Sequence, residues 1–370
     1  MKKIKIFEMF SGYGGASFAL KKANIPFECV GYSEIDKYAI QCYEQNHFYK
    51  SVYSDNIHDF ELKSKDERYL NCINYGDCTK INPGDIPDFD LLTGGFPCQS
   101  FSNAGKGLGE LDTRGTLFNE IIRIAEVKKP KYMLLENVKG LTTKRHKATF
   151  DKIITELVRI GYYVYWKILN SEEHGIPQNR ERVFFVCLRK DNNKVFIDFP
   201  FPEKEELKIF LKDILEDDVD QKYYLSEKRI KLIMADKRFG STNKITPLNG
   251  VSQCLSASMG MGGGYEPKIL IDKNSNYYMS GKIYSNGDCG NANRIFKPSG
   301  TSQSIQSQTR TKILNDAKVR KLTPKECFRL MGFLNDEIKL DGLSNSQRYK
   351  LAGNGWDINL VSKRFEQMFK

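Results

Sequence analysis

The sequence predicts an α/β protein built on an open, Rossmann-like sheet, with a smaller, mainly β or irregular domain late in the chain. Short apolar runs typical of buried strands alternate with helical stretches along the first 200 residues. A glycine-rich turn follows the first strand, as in sheets that hold nucleotide-type cofactors. After residue 220 the chain becomes basic and rich in Gly, Ser, Asn and Thr, and this change predicts the smaller domain.

Composition indicates a globular, cytoplasmic protein. Hydrophobic residues make up 40% and charged residues 28% of the 370-residue chain. No apolar run has the length of a membrane span, and residues 1–5 lead into a strand-like segment rather than a signal-peptide core. The nine cysteines are scattered without a CxxC pair, which argues against a disulfide framework and a structural zinc site. We therefore expect no membrane partner and no metal.

The excess positive charge of the chain lies in one late segment. The net charge is +11, and residues 221–325 contain 18 Lys or Arg against 6 Asp or Glu. The remainder contains 39 basic and 40 acidic residues. Such asymmetry favours a polyanionic partner, most simply nucleic acid, bound by that segment. An ordinary solvated basic face is the alternative.

An acidic stretch marks the predicted domain boundary. Residues 203–220 contain 8 acidic and 3 basic residues in a helical pattern. The predicted division is a catalytic and cofactor-binding domain over 1–200, a linker over 201–220, a recognition domain over 221–315 and a returning C-terminal segment over 316–370. Within the recognition domain, residues 246–256 resemble 296–306, which indicates two similar β-hairpins or a chance similarity.

The glycine turn is a candidate cofactor site. Residues 11–15, Ser-Gly-Tyr-Gly-Gly, join a strand over 3–10 to a helical stretch, and glycines let backbone approach a ligand closely. The order is not the GxGxxG of dinucleotide sites. Glu34 follows the second strand about 20 residues on, where an acid binds ribose hydroxyls; a helix-terminal carboxylate beside Asp36 is the alternative. Asp77 suits an adenine amine, or is simply a turn residue.

Two reactive side chains follow neighbouring predicted strands. Cys98 comes after the strand over 89–92 and a Gly- and Pro-rich break, and Glu136 ends the strand over 131–135. Open α/β sheets bind their ligands at the carboxyl ends of strands. A thiol nucleophile and a carboxylate general acid would therefore meet at one edge. A buried apolar cysteine and a helix-capping glutamate are the alternatives.

Two further features accompany these groups. The polar stretch over 99–115 has a length typical of a lid or binding loop. Arg180 and Arg182 are two residues apart and would point the same way on a strand, with surface salt bridges as the alternative.

Taken together, these motifs resemble the DNA cytosine-5 methyltransferase family. They occur in the family's order and span nearly the whole chain, except for the family's variable target-recognition region, which falls on the basic segment. One departure is Gly355-Trp356, where the family usually has Ser-Val; Asn354 is retained, and the sequence leaves open the detailed shape of the cofactor pocket there. The matching stretches are 10–15 (FSGYGG), 95–102 (GFPCQSFS), 112–118 (DTRGTLF), 136–138 (ENV), 178–182 (QNRER), the helix over 320–332 and 353–354 (GN).

The resemblance implies methyl transfer from S-adenosyl-L-methionine to C5 of a flipped-out cytosine in duplex DNA. It implies that Cys98 is the nucleophile, that Glu136 acts at cytosine N3, and that Arg182, with Arg180 beside it, supports the flipped base. The residues expected to contact the cofactor are Phe10, Ser11, Gly12, Gly14, Gly15, Glu34, Ile35, Asp77, Cys78, Gly95, Pro97 and Asn354.

DNA contacts are expected from two regions. The loop after Cys98 approaches the target base, and polar side chains of the basic segment suit base edges in the major groove. For any one side chain of the basic segment, a solvated hairpin position is the alternative. The expected DNA-binding residues are Gln99, Ser100, Ser102, Arg114, Gln253, Gln303, Gln308 and Arg310.

Three other functions stay open at this point. A tRNA cytosine-5 methyltransferase shares the Pro-Cys-Gln and Glu-Asn-Val motifs, but its Cys-Phe-Thr signature is absent, since Cys327-Phe328 is followed by Arg329. Intact candidate catalytic residues argue against a silent DNA-binding protein, and the missing GxGxxG argues against a nicotinamide oxidoreductase. We expect a monomer in a bacterial or phage-infected cell. The sequence leaves open the recognised site and a cognate restriction endonuclease acting independently.

Overall fold

The large sheet of this protein has six strands. The computed structural model describes residues 2–48, 66–97, 116–191, 198–235, 245–261, 266–271, 278–279, 295–296, 302–303 and 318–369. The strand order is β2-β1-β3-β4-β7-β5, and β6 lies outside this sheet. The strands are β1 (Ile4–Met9), β2 (Phe27–Ser33), β3 (Leu91–Gly95), β4 (Tyr132–Val138), β5 (Tyr162–Asn170), β6 (Gln178–Asn179) and β7 (Glu181–Arg189).

Strand direction determines which residues meet at the functional edge. Strands β2, β1, β3 and β4 are mutually parallel, so their carboxyl ends lie at one edge. Strand β7 is antiparallel to both β4 and β5. Its amino end therefore reaches the same edge, where Arg182 pairs with Val138. This arrangement confirms the predicted α/β, Rossmann-like class.

Helices cover both faces of the sheet. Ile4 and Ile6 of β1 pack in one core cluster with residues of the first and last helices, while Phe7 and Met9 pack in the other. This alternation follows from the twofold repeat of a strand. The helices are α1 (Gly15–Lys22), α2 (Lys37–His47), α3 (Thr116–Lys128), α4 (Lys147–Arg159), α5 (Leu211–Ile214), α6 (Glu227–Ala235), α7 (Pro324–Arg329), α8 (Asn345–Asn354) and α9 (Ile358–Phe369).

After helix α6, the described part of the basic segment contains short strands. Strands β10 and β14 pair antiparallel and β8 pairs parallel with β10, while β6 pairs parallel with β9. The predicted hairpin over 296–306 agrees with antiparallel pairing of β12 and β13, whereas β8 and β9 pair with other strands. The strands are β8 (Ile245–Thr246), β9 (Ser252–Gln253), β10 (Lys268–Ile271), β11 (Tyr278–Met279), β12 (Ile295–Phe296), β13 (Ser302–Gln303) and β14 (Lys318–Lys321).

The acidic stretch over 203–220 differs from the predicted helix. It is helical only over α5, and the first two N–H groups of α5 donate to a neighbouring loop. The N–H of Leu211 donates to the carbonyl of Gly250 at 3.2 Å, and that of Lys212 to the carbonyl of Leu248 at 2.8 Å. Repulsion between like charges three or four residues apart disfavours a longer helix over this acidic stretch. The division of the chain into domains stays a prediction.

None of the helices in the described ranges is both long enough and apolar enough to cross a membrane.

Candidate active site

A cavity of about 40 Å³ lies at the carboxyl ends of β1 and β3. Three parts of the chain line it, namely the end of β1 with the glycine turn and the start of α1, the end of β3, and the last residue of α8 with the two residues after it. These are residues 8–13 and 15–16, 93–95, and 354–356. Six of the predicted cofactor residues are among them: Phe10, Ser11, Gly12, Gly15, Gly95 and Asn354.

The glycine turn presents open backbone to this cavity. Phe10 and Gly12 have positive φ values of 53° and 56°, and space is open where a Cβ of Gly12 would stand. Gly14 has a different reason to be glycine, since its Cβ would lie 2.2 Å from Nε2 of His47. The buried hydroxyl of Ser11 has no hydrogen-bond partner within the described structure. An orphaned hydroxyl beside exposed backbone fits a polar ligand.

Glu34 ties the glycine turn to the start of α2. Its Oε2 accepts from the N–H of Gly12 at 2.9 Å, and its Oε1 accepts from Ile35 and Asp36 at 2.8 and 2.9 Å. The side chain of Ile35 is 75% exposed. Asn74, which the sequence did not single out, holds this loop by donating from Nδ2 to the carbonyl of Glu34 at 3.1 Å.

Asp77 and Cys78 begin a short helical turn. Oδ1 of Asp77 accepts from the N–H of Thr79 at 3.0 Å and from its hydroxyl at 2.8 Å. These hydrogen bonds hold the pKa of the Asp77 carboxyl below its usual value. Burial raises the pKa of the Cys78 thiol to about 11. The bonds account for Asp77 as a turn residue, and the cofactor contacts of both residues stay predictions.

Glu136 and Arg182 form an ion pair at the sheet edge. Nε of Arg182 lies 2.9 Å from Oε1 of Glu136, and their side chains are only 14% and 12% exposed. The antiparallel pairing of β4 with β7 produces this contact between residues 46 positions apart. The structure thus brings two of the predicted catalytic side chains together in a largely buried place.

The segment that leads to Cys98 is anchored to β4. Nδ2 of buried Asn137 donates to the carbonyl of Phe96 at 3.0 Å. Asn137 belongs to the Glu-Asn-Val motif, and the motif alone does not indicate this anchoring contact. Pro97 is exposed and ends the described segment. The predicted residues that lie outside the described ranges are Cys98, Gln99, Ser100, Ser102, Arg114, Gln308 and Arg310.

Arg180 is buried, and its guanidinium donates to three backbone carbonyls. Its Nη2 donates to the carbonyls of Gly355 and Gly353 at 2.8 and 3.2 Å, and its Nη1 donates to that of Leu255 at 3.2 Å. Arg180 therefore joins the end of α8 to the segment after β9. A direct contact of Arg180 with substrate stays a prediction.

Cys254 is a site residue that sequence reasoning missed. Its Sγ lies 3.6 Å from Nη1 of Arg180 and 3.5 Å from Nη2 of Arg182. Burial opposes ionisation, but the two arginine charges outweigh it and hold the pKa of this thiol below its usual value. Only tertiary structure reveals this contact, because pairing of β6 with β9 brings the neighbouring Gln253 beside Asn179. The described part of Gln303 is its backbone in β13.

Trp356 lies where the cofactor cavity approaches Glu136. A Cβ on Gly95 would stand 2.7 Å from Nε1 of Trp356 and 3.2 Å from Oε2 of Glu136. The hydroxyl of Tyr13 donates to the carbonyl of Trp356 and fixes the backbone there. The Gly355-Trp356 departure therefore places the indole of Trp356 in the cavity wall beside Gly95, where a Cβ would not fit.

Comparison with known proteins gives a consistent result. A family model described as C-5 cytosine-specific DNA methylase matches residues 4–370. The chain is 33% identical to Type II methyltransferase M2.ScrFI of Lactococcus lactis subsp. cremoris, over 99% of both proteins. It is 34% identical to Type II methyltransferase M.HhaI of Haemophilus parahaemolyticus, over 97% of this chain and 92% of the relative. Its fold is similar to that of the S. pombe Dnmt2 methyltransferase, with a TM-score of 0.69 at 20% identity over 99% and 98% of the two chains.

Proposed function

The chain belongs to the C-5 cytosine-specific DNA methylase family, and we propose that it methylates a flipped-out cytosine of duplex DNA through a covalent adduct with Cys98. S-adenosyl-L-methionine is the methyl donor of this family. The observation that supports the proposal most strongly is the Glu136–Arg182 pair, held at the sheet edge beside the cavity.

The cavity and the adjoining loops fit the donor by their chemistry. Backbone of the glycine turn and the orphaned hydroxyl of Ser11 can bond its polar groups, and Glu34 can accept from ribose hydroxyls. Exposed Ile35 offers an apolar surface to an adenine ring. Asp77 and Asn354 complete the proposed set. When bound, the donor supplies the methyl group that C5 receives.

The chemistry requires a thiol and an acid. Cytosine C5 is a poor nucleophile. Attack by the Cys98 thiolate forms an S–C6 bond, and the electrons of the C5–C6 double bond move to C5 while Glu136 delivers a proton to N3. C5 then takes the methyl group. Loss of the C5 proton to a base re-forms the C5–C6 double bond, breaks the S–C6 bond and releases the thiolate, and N3 returns its proton to Glu136.

The target carbon cannot be reached within a duplex, so the base must leave the stack. We assign Arg182 to the flipped base, since it already holds Glu136. The loop over 99–115, with Gln99, Ser100, Ser102 and Arg114, would close over the base and exclude water. Arg180 would support this assembly through the end of α8.

Sequence recognition is assigned to about residues 221–315. The excess of Lys and Arg over residues 221–325 supports contacts with DNA phosphates. Such contacts contribute affinity but little sequence specificity. Gln253, Gln303, Gln308 and Arg310 carry groups that can pair with base edges. Gln253 lies in β9, directly before the Cys254 that contacts both arginines, so it is near the proposed base pocket.

Bisulfite sequencing of DNA and tRNA from cells expressing the protein tests activity and recognition together. We expect 5-methylcytosine at one short DNA sequence and none added to tRNA. Grafting residues 221–315 into a relative of different specificity should transfer that sequence to the chimera. An active chimera that still marks the recipient's site would place recognition elsewhere, and methylation confined to tRNA would overturn the DNA assignment.

Glu34→Ala should raise the dissociation constant of S-adenosyl-L-methionine roughly tenfold. One lost good hydrogen-bonding group is worth about 1.4 kcal/mol, or a factor of ten. Titration calorimetry without DNA measures this directly. An unchanged dissociation constant would assign Glu34 only to its bonds with Gly12, Ile35 and Asp36.

We further propose that the enzyme acts as a monomer in the cytoplasm of a bacterial or phage-infected cell, independently of any cognate restriction endonuclease. Sedimentation velocity of the active enzyme should give the mass of one chain; activity confined to a dimer fraction would contradict it.

A further inference from the structure

Glu8 is a buried carboxyl group that the proposed chemistry does not use. It lies near the carboxyl end of β1 on the same face as Ile6, is 1% exposed, and belongs to the lining of the cofactor cavity. Its neighbour across the sheet is Thr93 of β3, which also lines the cavity. A carboxyl group at such a place is costly unless it has partners or a task.

Its protein partners hold the carboxyl group beneath the start of α1. Oε1 accepts from the hydroxyl of Ser17 and from that of Tyr43, the latter at 3.0 Å. Ser17 is in the first turn of α1, whose N-cap Gly14 offers no side chain. The backbone N–H of Ser17 also bonds the carboxyl group, so capping of α1 is one task of Glu8. The titratable groups facing this pocket are Lys21 of α1, Tyr43 and His47 of α2, Cys29 of β2, and Tyr69 and Cys72 of the following loop.

These surroundings leave the charge of Glu8 poorly compensated. Burial raises the pKa of the Glu8 carboxyl to about 7, against the opposing effects of its bonds to Ser17 and Tyr43 and of the Lys21 charge. Burial also holds the pKa of His47 well below its usual value, so that ring is neutral. Glu8 is therefore able to gain or lose a proton near neutral pH, according to the charge of what enters the cavity.

The methyl donor and its product differ in charge at one atom. S-adenosyl-L-methionine has a sulfonium cation, and S-adenosyl-L-homocysteine has a neutral thioether in its place. We propose that Glu8 makes the cavity selective for the cationic donor over the neutral product. This inference rests on the proposed cofactor site. A buried carboxylate attracts a nearby cation strongly, because the protein interior screens charges less than water does.

The selectivity should depend on pH with a defined sign. Below pH 7 the free protein holds Glu8 mostly protonated, and a bound cation favours the ionised form, so donor binding releases a proton. Donor affinity should therefore increase as pH rises through about 7, by up to about tenfold between pH 6 and pH 8 for one linked proton. Product affinity should change much less over the same range, because no charge is added to the cavity.

Titration calorimetry of the full chain without DNA tests this. The donor and the product are titrated at pH 6, 7 and 8, in buffers of different ionisation enthalpy that count the released protons. We expect proton release and the affinity increase with the donor only. Glu8→Gln, which keeps the shape and one acceptor oxygen for Ser17, should remove both effects and bring the two dissociation constants closer together.

Glu34→Ala is the matched control. The proposed ribose contact of Glu34 is common to both ligands, so this substitution should weaken the binding of both by the same factor. The same pH dependence for donor and product in the wild type, or equal weakening of both by Glu8→Gln, would show that Glu8 only caps α1 and would overturn the inference. The wild-type comparison holds even if Glu8→Gln does not fold. Failure of both ligands to bind the wild type would instead overturn the cofactor assignment itself.

Discussion

Cys98→Ser should abolish methyl transfer, with a rate loss of at least about 10⁴-fold. A serine hydroxyl is a far poorer nucleophile than a thiolate at neutral pH, and the reaction has no path to a reactive C5 without addition at C6. Initial rates of labelled-methyl transfer to duplex DNA measure the loss. The dissociation constant for DNA, measured by fluorescence anisotropy, should stay near the wild-type value because the substitution removes no basic side chain from the DNA-binding surface of the protein.

A Cys98→Ser rate within tenfold of wild type would rule out Cys98 as nucleophile. Cys254, whose thiol lies against Arg180 and Arg182, would then be the candidate nucleophile to test.

Glu136→Gln should lower the single-turnover rate by about 10² to 10⁴, the range of general acid–base catalysis. Glutamine keeps the shape and hydrogen-bonding capacity of the side chain but cannot deliver a proton to N3. Glu181→Gln is the matched control on the neighbouring strand, because its carboxylate pairs with Lys139 at the exposed surface. We expect this control within about threefold of wild type. A similarly small effect of Glu136→Gln would show that Glu136 is not the acid at N3 and serves only to position Arg182.

Much of the sheet and its functional edge could be predicted from local pattern. Apolar runs marked β1 to β4, and the polar residues directly after or at the end of these strands indicated Glu34 and Glu136 as site residues. The edge itself follows from the parallel order of those strands. What local pattern could not supply is the partner of each side chain, since partners depend on strand order and direction.

Arg180 and Arg182 illustrate this limit. Their spacing predicts a shared direction, and both do reach Cys254. Yet Arg182 forms an ion pair with Glu136 only because β7 lies antiparallel to β4. Arg180 donates to backbone carbonyls only because the end of α8 lies beside it. Glu8 shows the same limit within a strand, because one acid in an apolar run gives no sign of whether it is exposed or buried.

Covalent catalysis by Cys98 is tested most directly by trapping on duplex DNA that carries 5-fluorocytosine at random cytosines, a substrate that requires no knowledge of the recognised site. Fluorine at C5 cannot be lost as the proton is, so the adduct persists after methyl transfer. With S-adenosyl-L-methionine present, we expect a protein–DNA species that survives a denaturing gel, maps to Cys98 and is absent from Cys98→Ser. An adduct at Cys254, or none from a wild-type enzyme that methylates ordinary DNA, would contradict the proposed mechanism.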